Sequence, residues 1–379
     1  MNFDLNEDEE MLKALAERFV EDQYDLDRRR TYLAGPNGFS PAMWSMLGDL
    51  GLIAAPLGFE SGGLAIDATA VATVFEALGK GLVVEPLIEN VMVAARLFER
   101  IAPEDLRSQW MEALATGKRR LSLAHVEAGS RASSLWVETS PGADGSLSGT
   151  KTCVPAGAGV DGYIVSARTS GAPGEAAGLG FFLVTADAPG VTRTLWRTVD
   201  GTVAVTLELS GTPATPLGGT FADLAEVEPL ASLARSAEAL GVMQRLFDAT
   251  LDYLRTRQQF GTSLGSFQAI QHRMAAQYAR IEQARALLNL AIVSQGSDTF
   301  ASAVDGLRAF VAPASVELGH EMIQFHGGMG VTDELFIGHG HKRLLMLSRW
   351  PDDPQAALDR FAKVAGLRAE RPGKSPAFV

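Results

Sequence analysis

The feature that most constrains this chain is a double change of texture along its length. Helical periodicity runs to about residue 118, short β-branched runs follow to about 220, and helical periodicity then resumes. Stretches of different period bury their apolar faces in separate layers, so this order predicts an α+β protein in three parts. They are a helical domain over 1–118, a β domain over 119–220 built as a small barrel or sandwich, and a helical domain over 221–379. A chain of 379 residues can supply two or three such cores.

Local signals place the elements. Asn6 with Glu9 is a capping-box pattern ahead of Met11, Leu12, Leu15 and Phe19, which recur on one helical face. Ser40-Pro41 supplies a cap and a first-turn proline, with Trp44, Leu47 and Leu50 turned inward and Gly51 closing the helix. Glu85-Pro86 and Pro103-Glu104 open two more helices. In the middle region strands are expected over 134–139, 163–167, 181–185 and 202–207, with Asp144-Gly145 as a hairpin turn and 211–216 as a linker. Four helices are expected after that, over 221–258, 267–294, 299–327 and from His341.

Composition narrows the classes of partner. The net charge of −12 argues against nucleic acid or an anionic membrane surface. No apolar run has the ~18–20 residues of a membrane span. The start, Met1-Asn2-Phe3-Asp4-Leu5, is acidic and lacks the basic and apolar regions of a signal peptide. A single cysteine, Cys153, excludes an internal disulfide framework, and together these point to the cytoplasm.

One carboxylate stands out. Glu238 is the only acid between Ala231 and Gly241, with Ala234, Ala237, Ala239 and Gly241 around it. Small neighbours leave room for a ligand, and a carboxylate among apolar groups is a better proton acceptor near neutral pH. The alternative is an ion pair with Arg235 one turn back, worth a few tenths of a kcal/mol. The same helical pattern runs into Arg257-x-x-Phe260-Gly261 and Gln268. Further on stands Gln324-x-x-Gly327-Gly328-x-Gly330-x-Thr332-x-Glu334, whose glycines let backbone approach a ligand closely and offer N–H groups to a phosphate.

Taken together, these two runs resemble the C-terminal signatures of the acyl-CoA dehydrogenase family, and the resemblance extends over nearly the whole chain. Within the family the chain is most similar to the small subunit of pimeloyl-CoA dehydrogenases. The resemblance implies an α-helical domain, a β domain and a C-terminal four-helix bundle, with FAD bound between subunits. It implies removal of hydrogens from Cα and Cβ of an acyl-CoA, with a dicarboxylyl, branched or ring-bearing acyl group favoured over a plain fatty chain. Arg257 and Phe260 would then touch the pyrophosphate and adenine end of FAD, Gln324 and Gly328 would contact the same FAD from a neighbouring subunit, and Gln268, Gly327 and Thr332 are further FAD-binding candidates. Partners implied are the acyl-CoA, an electron-transfer flavoprotein, and a second copy or a paralogous subunit in a dimer or tetramer. Glu238 matches the Ala-Glu-Ala-Leu-Gly pattern of members that carry the base on this helix.

The chain also departs from the family. Where members have Thr-Glu-Pro-x-Ala-Gly-Ser-Asp, this chain has a shortened and altered 125–131, in which Ser130 is the candidate donor at the flavin or substrate edge. Cys153 and Pro155 occupy the places of a Trp that covers the flavin and a Thr that reaches it. The loop position where many members carry the base is Pro351, which has no N–H to offer a thioester oxygen. Asp352 and Asp353 are alternative bases, read more simply as solvated turn residues between Pro351 and Pro354. These departures keep two other functions open: a non-catalytic subunit that completes a paralogue's FAD site, and a flavin monooxygenase of the same fold.

Other residues carry less. His339-Gly340-His341 has no third metal ligand at a useful spacing and reads as a solvated loop. His326 is open between a flavin contact and packing, His272 reads as an interface residue, and Cys153 as an unreactive small residue. Met243, Phe247, Leu251 and Leu254 read mainly as core.

Overall fold

The computed structural model describes residues 5–131 and 134–366. By its internal contacts the chain divides into two compact units, Met1–Glu238 and Ala239–Val379.

The first unit begins with helices α1 (Glu7–Gln23), α2 (Leu26–Ala34), α3 (Pro41–Asp49) and α4 (Ala68–Lys80). The Asn6–Glu9 capping box forms as expected, with both reciprocal hydrogen bonds in place. Leu12, Ala16 and Phe19 face inward, but Met11 is exposed, so the apolar stripe runs one position later than its first residue suggested. Ser40 caps α3 through the Met43 N–H, and Trp44 and Leu47 are buried beneath it.

A wide π-helical segment, Leu87–Ala95, follows Pro86 and leads into α5 (Arg96–Ile101) and α6 (Glu104–Ala115). π-helical geometry is rare and costly, and recurs near functional sites. Here it turns adjacent residues to different neighbours: Glu89 meets Arg235, while the Asn90 amide donates to the Leu121 carbonyl at 2.8 Å.

The middle region is a sandwich of two four-stranded sheets, not a closed barrel. Its strands are β1 (Leu121–Ala124), β2 (Ser140–Pro141), β3 (Leu147–Pro155), β4 (Gly162–Arg168), β5 (Leu179–Thr185), β6 (Val191–Arg197), β7 (Val203–Thr212) and β8 (Thr215–Gly218). One sheet has the order β1-β4-β5-β8, with β1 parallel to β4, and the other β2-β3-β7-β6. Val165, Ala167, Phe182 and Val184 of the first pack with Leu147, Val205, Leu207 and Leu209 of the second. That is the interdigitation expected of aligned sheets.

Two sequence expectations fail in this region. Residues 134–139 are not a strand, because side chains satisfy their backbone instead. Arg168 donates to the Leu135 and Val137 carbonyls, and Glu127 accepts from the Glu138 and Thr139 N–H groups. Residues 211–216 are not a linker: β7 continues to Thr212 and β8 starts at Thr215, with buried Thr212 and Leu217 anchoring a crossing from one sheet to the other. The Asp144-Gly145 turn joins β2 and β3 as expected, and Gly145 takes a φ of +81°.

Helix α7 (Phe221–Thr256) spans the division between the units. The second unit continues with β9 (Gln258–Gln259) and β10 (Thr262–Ser263), then α8 (Gln268–Val293), α9 (Phe300–His326), α10 (Phe336–Arg349) and α11 (Pro354–Val364). Met243, Phe247 and Leu254 are buried, as their spacing predicted. The segment at His339–His341 is not a solvated loop. It lies inside α10, with both histidines buried and the His341 ring tilted against His320 at 4.5 Å.

Candidate active site and cofactor-binding motifs

All ten residues from 231 to 240 are buried, so this part of α7 is enclosed on every face. Alanines dominate the stretch, which favours helix and admits close neighbours. Glu238 is 4% exposed within it. The small residues serve packing as well as any ligand. A Cβ on Gly79 of α4 would stand 2.3 Å from the Glu238 carbonyl oxygen, so the two helix backbones nearly touch at Glu238. Gly79 is required there because no side chain fits between them.

Arg235 is held elsewhere than at Glu238. Its guanidinium, 2% exposed, donates to both oxygens of Glu89 at 3.0 and 3.2 Å and to Glu228 at 2.6 Å. The alternative bases are also committed. Asp352 accepts from Arg308 at 3.1 Å and Arg360 at 2.5 Å, and is therefore not a solvated turn residue. Asp353 caps α11 through the Gln355 N–H and pairs with Arg349.

The altered segment 125–131 is tied down by groups that sequence reasoning missed. Lys151, fully buried, donates to Glu127 at 2.6 Å and to Ser166 at 3.0 Å. Glu127 also accepts from Thr139 Oγ1 at 2.6 Å. Burial opposes ionisation of Glu127, but the Lys151 ammonium and these donors outweigh it and hold the carboxyl below its usual range. The only sequence signal was a lysine inside an alternating strand. The Ser130 hydroxyl is used internally: it accepts from the Glu127 N–H and donates to the Trp136 carbonyl. Cys153 lies on β3, and burial, then the Glu89 carboxylate, pushes its thiol up to about 11.

The motifs of the second unit have the opposite character. Arg257 lies just past the end of α7 and is exposed. Phe260 and Gly261 are the two central residues of the β9–β10 hairpin, both with positive φ, +56° and +80°. Such two-residue turns favour Asn or Gly at the first position, so a phenylalanine there is strained. The ring is nevertheless 89% exposed, touching Phe267 edge-on at 6.2 Å. Among the described residues that one edge-on contact is the ring contact set against the strain. Gln268 is exposed at the start of α8.

The glycine run divides by role. Gly327 needs its φ of +60°, and Gly330 is pressed against the Ile323 carbonyl, where a Cβ would stand at 2.6 Å. A Cβ on Gly328 would meet no atom within 4 Å among the described residues, so packing within the chain does not require a glycine there. Gln324, Gly327 and Gly328 are all exposed, while Thr332 turns its hydroxyl back to the Met329 carbonyl at 2.8 Å. His326 is buried and stacked on Tyr253 at 4.4 Å, which makes it a packing residue. These exposed residues fit a group such as FAD that is covered only on assembly.

Comparison with known proteins gives the family. The N-terminal domain model of acyl-CoA dehydrogenases matches residues 6–118, and the C-terminal domain model matches 231–351. The acyl-CoA dehydrogenase FadE27 of Mycobacterium tuberculosis is 30% identical over 347 residues, covering 88% of this chain and 90% of that protein. The ChsE4-ChsE5 complex from Mycobacterium tuberculosis superposes with a TM-score of 0.86 at 27% identity, covering 98% of this chain and 100% of the other. The Tcur3481-Tcur3483 steroid ACAD variant gives 0.84 at 28%, covering 95% and 98%. The chain belongs to the acyl-CoA dehydrogenase family, and so to a class of FAD-dependent oxidoreductases. No helix among the described residues is long and apolar enough to cross a membrane.

Proposed function

We propose that this chain catalyses α,β-dehydrogenation of an acyl-CoA thioester to the trans-2-enoyl-CoA, within an assembly that includes a second acyl-CoA dehydrogenase subunit. The observation that carries this reading is Glu238. It is a carboxylate withdrawn from water on a buried helix, at the family's base pattern, while Asp352 and Asp353 are committed to arginines and a helix cap. Glu238 takes the Cα proton. FAD supplies the hydride acceptor when bound, and Arg257, Phe260, Gln268, Gln324, Gly327, Gly328 and Thr332 hold it. Ser130 acts by keeping its loop in shape. An electron-transfer flavoprotein accepts the electrons, and the reaction is cytoplasmic.

A heteromeric assembly is supported by the exposed motifs of the second unit and by the paired chains of the two similar structures. The steroid relative favours a ring-bearing acyl group. Pro351 and Cys153 favour a second reading, in which this chain only completes a paralogue's FAD site.

The deciding experiment purifies the chain alone and with a paralogous subunit, counts FAD per chain, and follows flavin bleaching over a panel of acyl-CoAs. Bleaching that Glu238→Gln abolishes supports catalysis here. Unchanged turnover in that variant gives the partner-subunit reading. Rapid reoxidation of the reduced protein by O₂ would instead favour a monooxygenase.

A further inference from the structure

Helix α8 carries the same pattern on two opposite sides. Its buried residues, Met274, Gln277, Ile281, Ala284, Leu288 and Ala291, follow one another in steps of three and four. A second series in the same steps, Ala276, Ala279, Gln283, Ala286, Leu290 and Val293, is exposed. Each of its members stands two residues beyond a buried one, which places it ~200° round the helix. Leu290 is 54% exposed and Val293 40%. Among the exposed positions from 275 to 293, Glu282 is the only charged residue. A surface helix normally turns charged and polar residues outward, and one that is apolar on both sides has neighbours on both. Steps of three and four are the seam spacing of a coiled coil, and from Ala276 to Val293 the seam is about 26 Å long.

The order of sizes along this outer seam identifies its occupant. Small side chains lie toward its N-terminal end and large ones toward its C-terminal end. In a parallel pair of α8 helices, alanine would face alanine and leucine would face leucine, so one end would gape where the other touched. An antiparallel pair centred between Gln283 and Ala286 has different layers. Ala276 then meets Val293 of the second copy, Ala279 meets its Leu290, and Gln283 meets its Ala286. Every layer sets a larger side chain against alanine, which is how facing positions fill space evenly. The charges agree with this register. Beside the seam, Glu282 faces the Asn289 amide of the second copy and Arg280 faces its Leu287, so no like charges meet. A two-fold axis through the centre makes the contact self-complementary.

We propose that the outer face of α8 is an interface between two copies of this chain, in which α8 packs against α8 antiparallel, centred between Gln283 and Ala286. The contact is independent of whether Glu238 is the base.

The test uses the full chain. Sedimentation equilibrium compares wild type with Leu290→Glu, which puts a carboxylate into two layers of the seam. The variant should self-associate at least ~10-fold more weakly, because the burial of one leucine is lost in each of those layers. Leu290 faces out of its own chain, so the fold should survive the change, and a thermal melt by circular dichroism checks that it does. Cysteine pairs report the direction. The double variant Ala279→Cys with Leu290→Cys should cross-link between chains on mild oxidation, and neither single variant should, with wild type and its Cys153 as the control. The two positions lie ~16 Å apart along one helix, too far for a disulfide within a chain. A monomeric wild type, or unchanged self-association in Leu290→Glu, would overturn the interface. Cross-linking of each single variant to itself would replace the antiparallel pair with a parallel one. Cross-linking to a co-purified paralogous subunit instead of a second copy would give the seam a different occupant and overturn the proposal.

Discussion

Lys151 and Arg257 are both cations in segments that the family resemblance marks out, yet they lead different lives. Lys151 is wholly buried, with its ammonium spent on Glu127 and Ser166. Arg257 stands in solvent at the end of α7, beside a strained and exposed phenylalanine. The contrast holds for their surroundings. In the first unit, Glu85, Glu127, Arg235 and Arg120 are all buried and answered by partners inside the unit. In the second, Gln268, Gln324, Gly327 and Gly328 face outward. On the proposed function, a motif residue in the first unit acts by holding shape or by chemistry in a closed site, and one in the second acts on something that arrives.

Four substitutions test that division, from the largest effect to the smallest. Glu238→Gln keeps the shape and removes the base. Turnover should fall at least ~10³-fold, with FAD and acyl-CoA binding retained. Near-normal turnover would place Glu238 with the merely structural groups of its unit.

Lys151→Met leaves Glu127 buried without its cation. Denaturant unfolding should show a loss of about 3–4 kcal/mol, largely recovered by adding Glu127→Gln. A loss of flavin without a loss of stability would instead make Lys151 a ligand contact like Arg257.

Glu85 gives a pH test. Burial, the largest cause, raises its carboxyl from 4.5 to about 7, although the Tyr24 hydroxyl and the Ser40 N–H donate to it. The folded state therefore keeps this proton up to about pH 7, while the unfolded chain releases it near 4.5. The stability it contributes is fully present below 4.5 and lost as pH rises through about 7. Across that window, wild type should lose about 3 kcal/mol relative to Glu85→Gln, whose side chain does not titrate. Parallel stability curves for the two would show that Glu85 keeps an ordinary carboxyl.

Arg257→Ala should leave stability within about 0.5 kcal/mol, as surface changes do. It should weaken FAD binding by about 1.5–3 kcal/mol, the range for hydrogen bonds to charged groups. The flavin-to-protein absorbance ratio after gel filtration reports it. An unchanged ratio would give Arg257 a role at the helix terminus instead.

Much of the frame was legible in the chain. The Asn6–Glu9 and Ser40-Pro41 starts, the long helices and the Asp144-Gly145 turn depend on contacts within a few residues. The resemblance also supplied the exposed run from Arg257 to Gln268 and the glycines at 327–330. The misreadings have a common cause. Residues 134–139 have strand-like composition, but Glu127 and Arg168 take their backbone groups first. Asp352 looks solvated between prolines until Arg308 and Arg360 arrive from 44 and 8 residues away. His341 seemed part of a loop because Gly338 and Gly340 weaken the helical pattern, yet a Cβ at Gly340 would stand 2.7 Å from Leu246.

By itself the sequence determined the order of helices and strands, their caps and turns, and the residue types at the candidate site, because periodicity and capping are written in neighbouring residues. Only the tertiary structure decided which charges are spent. Arg235 meets Glu89 across 146 residues, and Lys151 meets Glu127 across 24. A buried charge must find a partner or stay unionised, and which partner it finds depends on how distant segments pack.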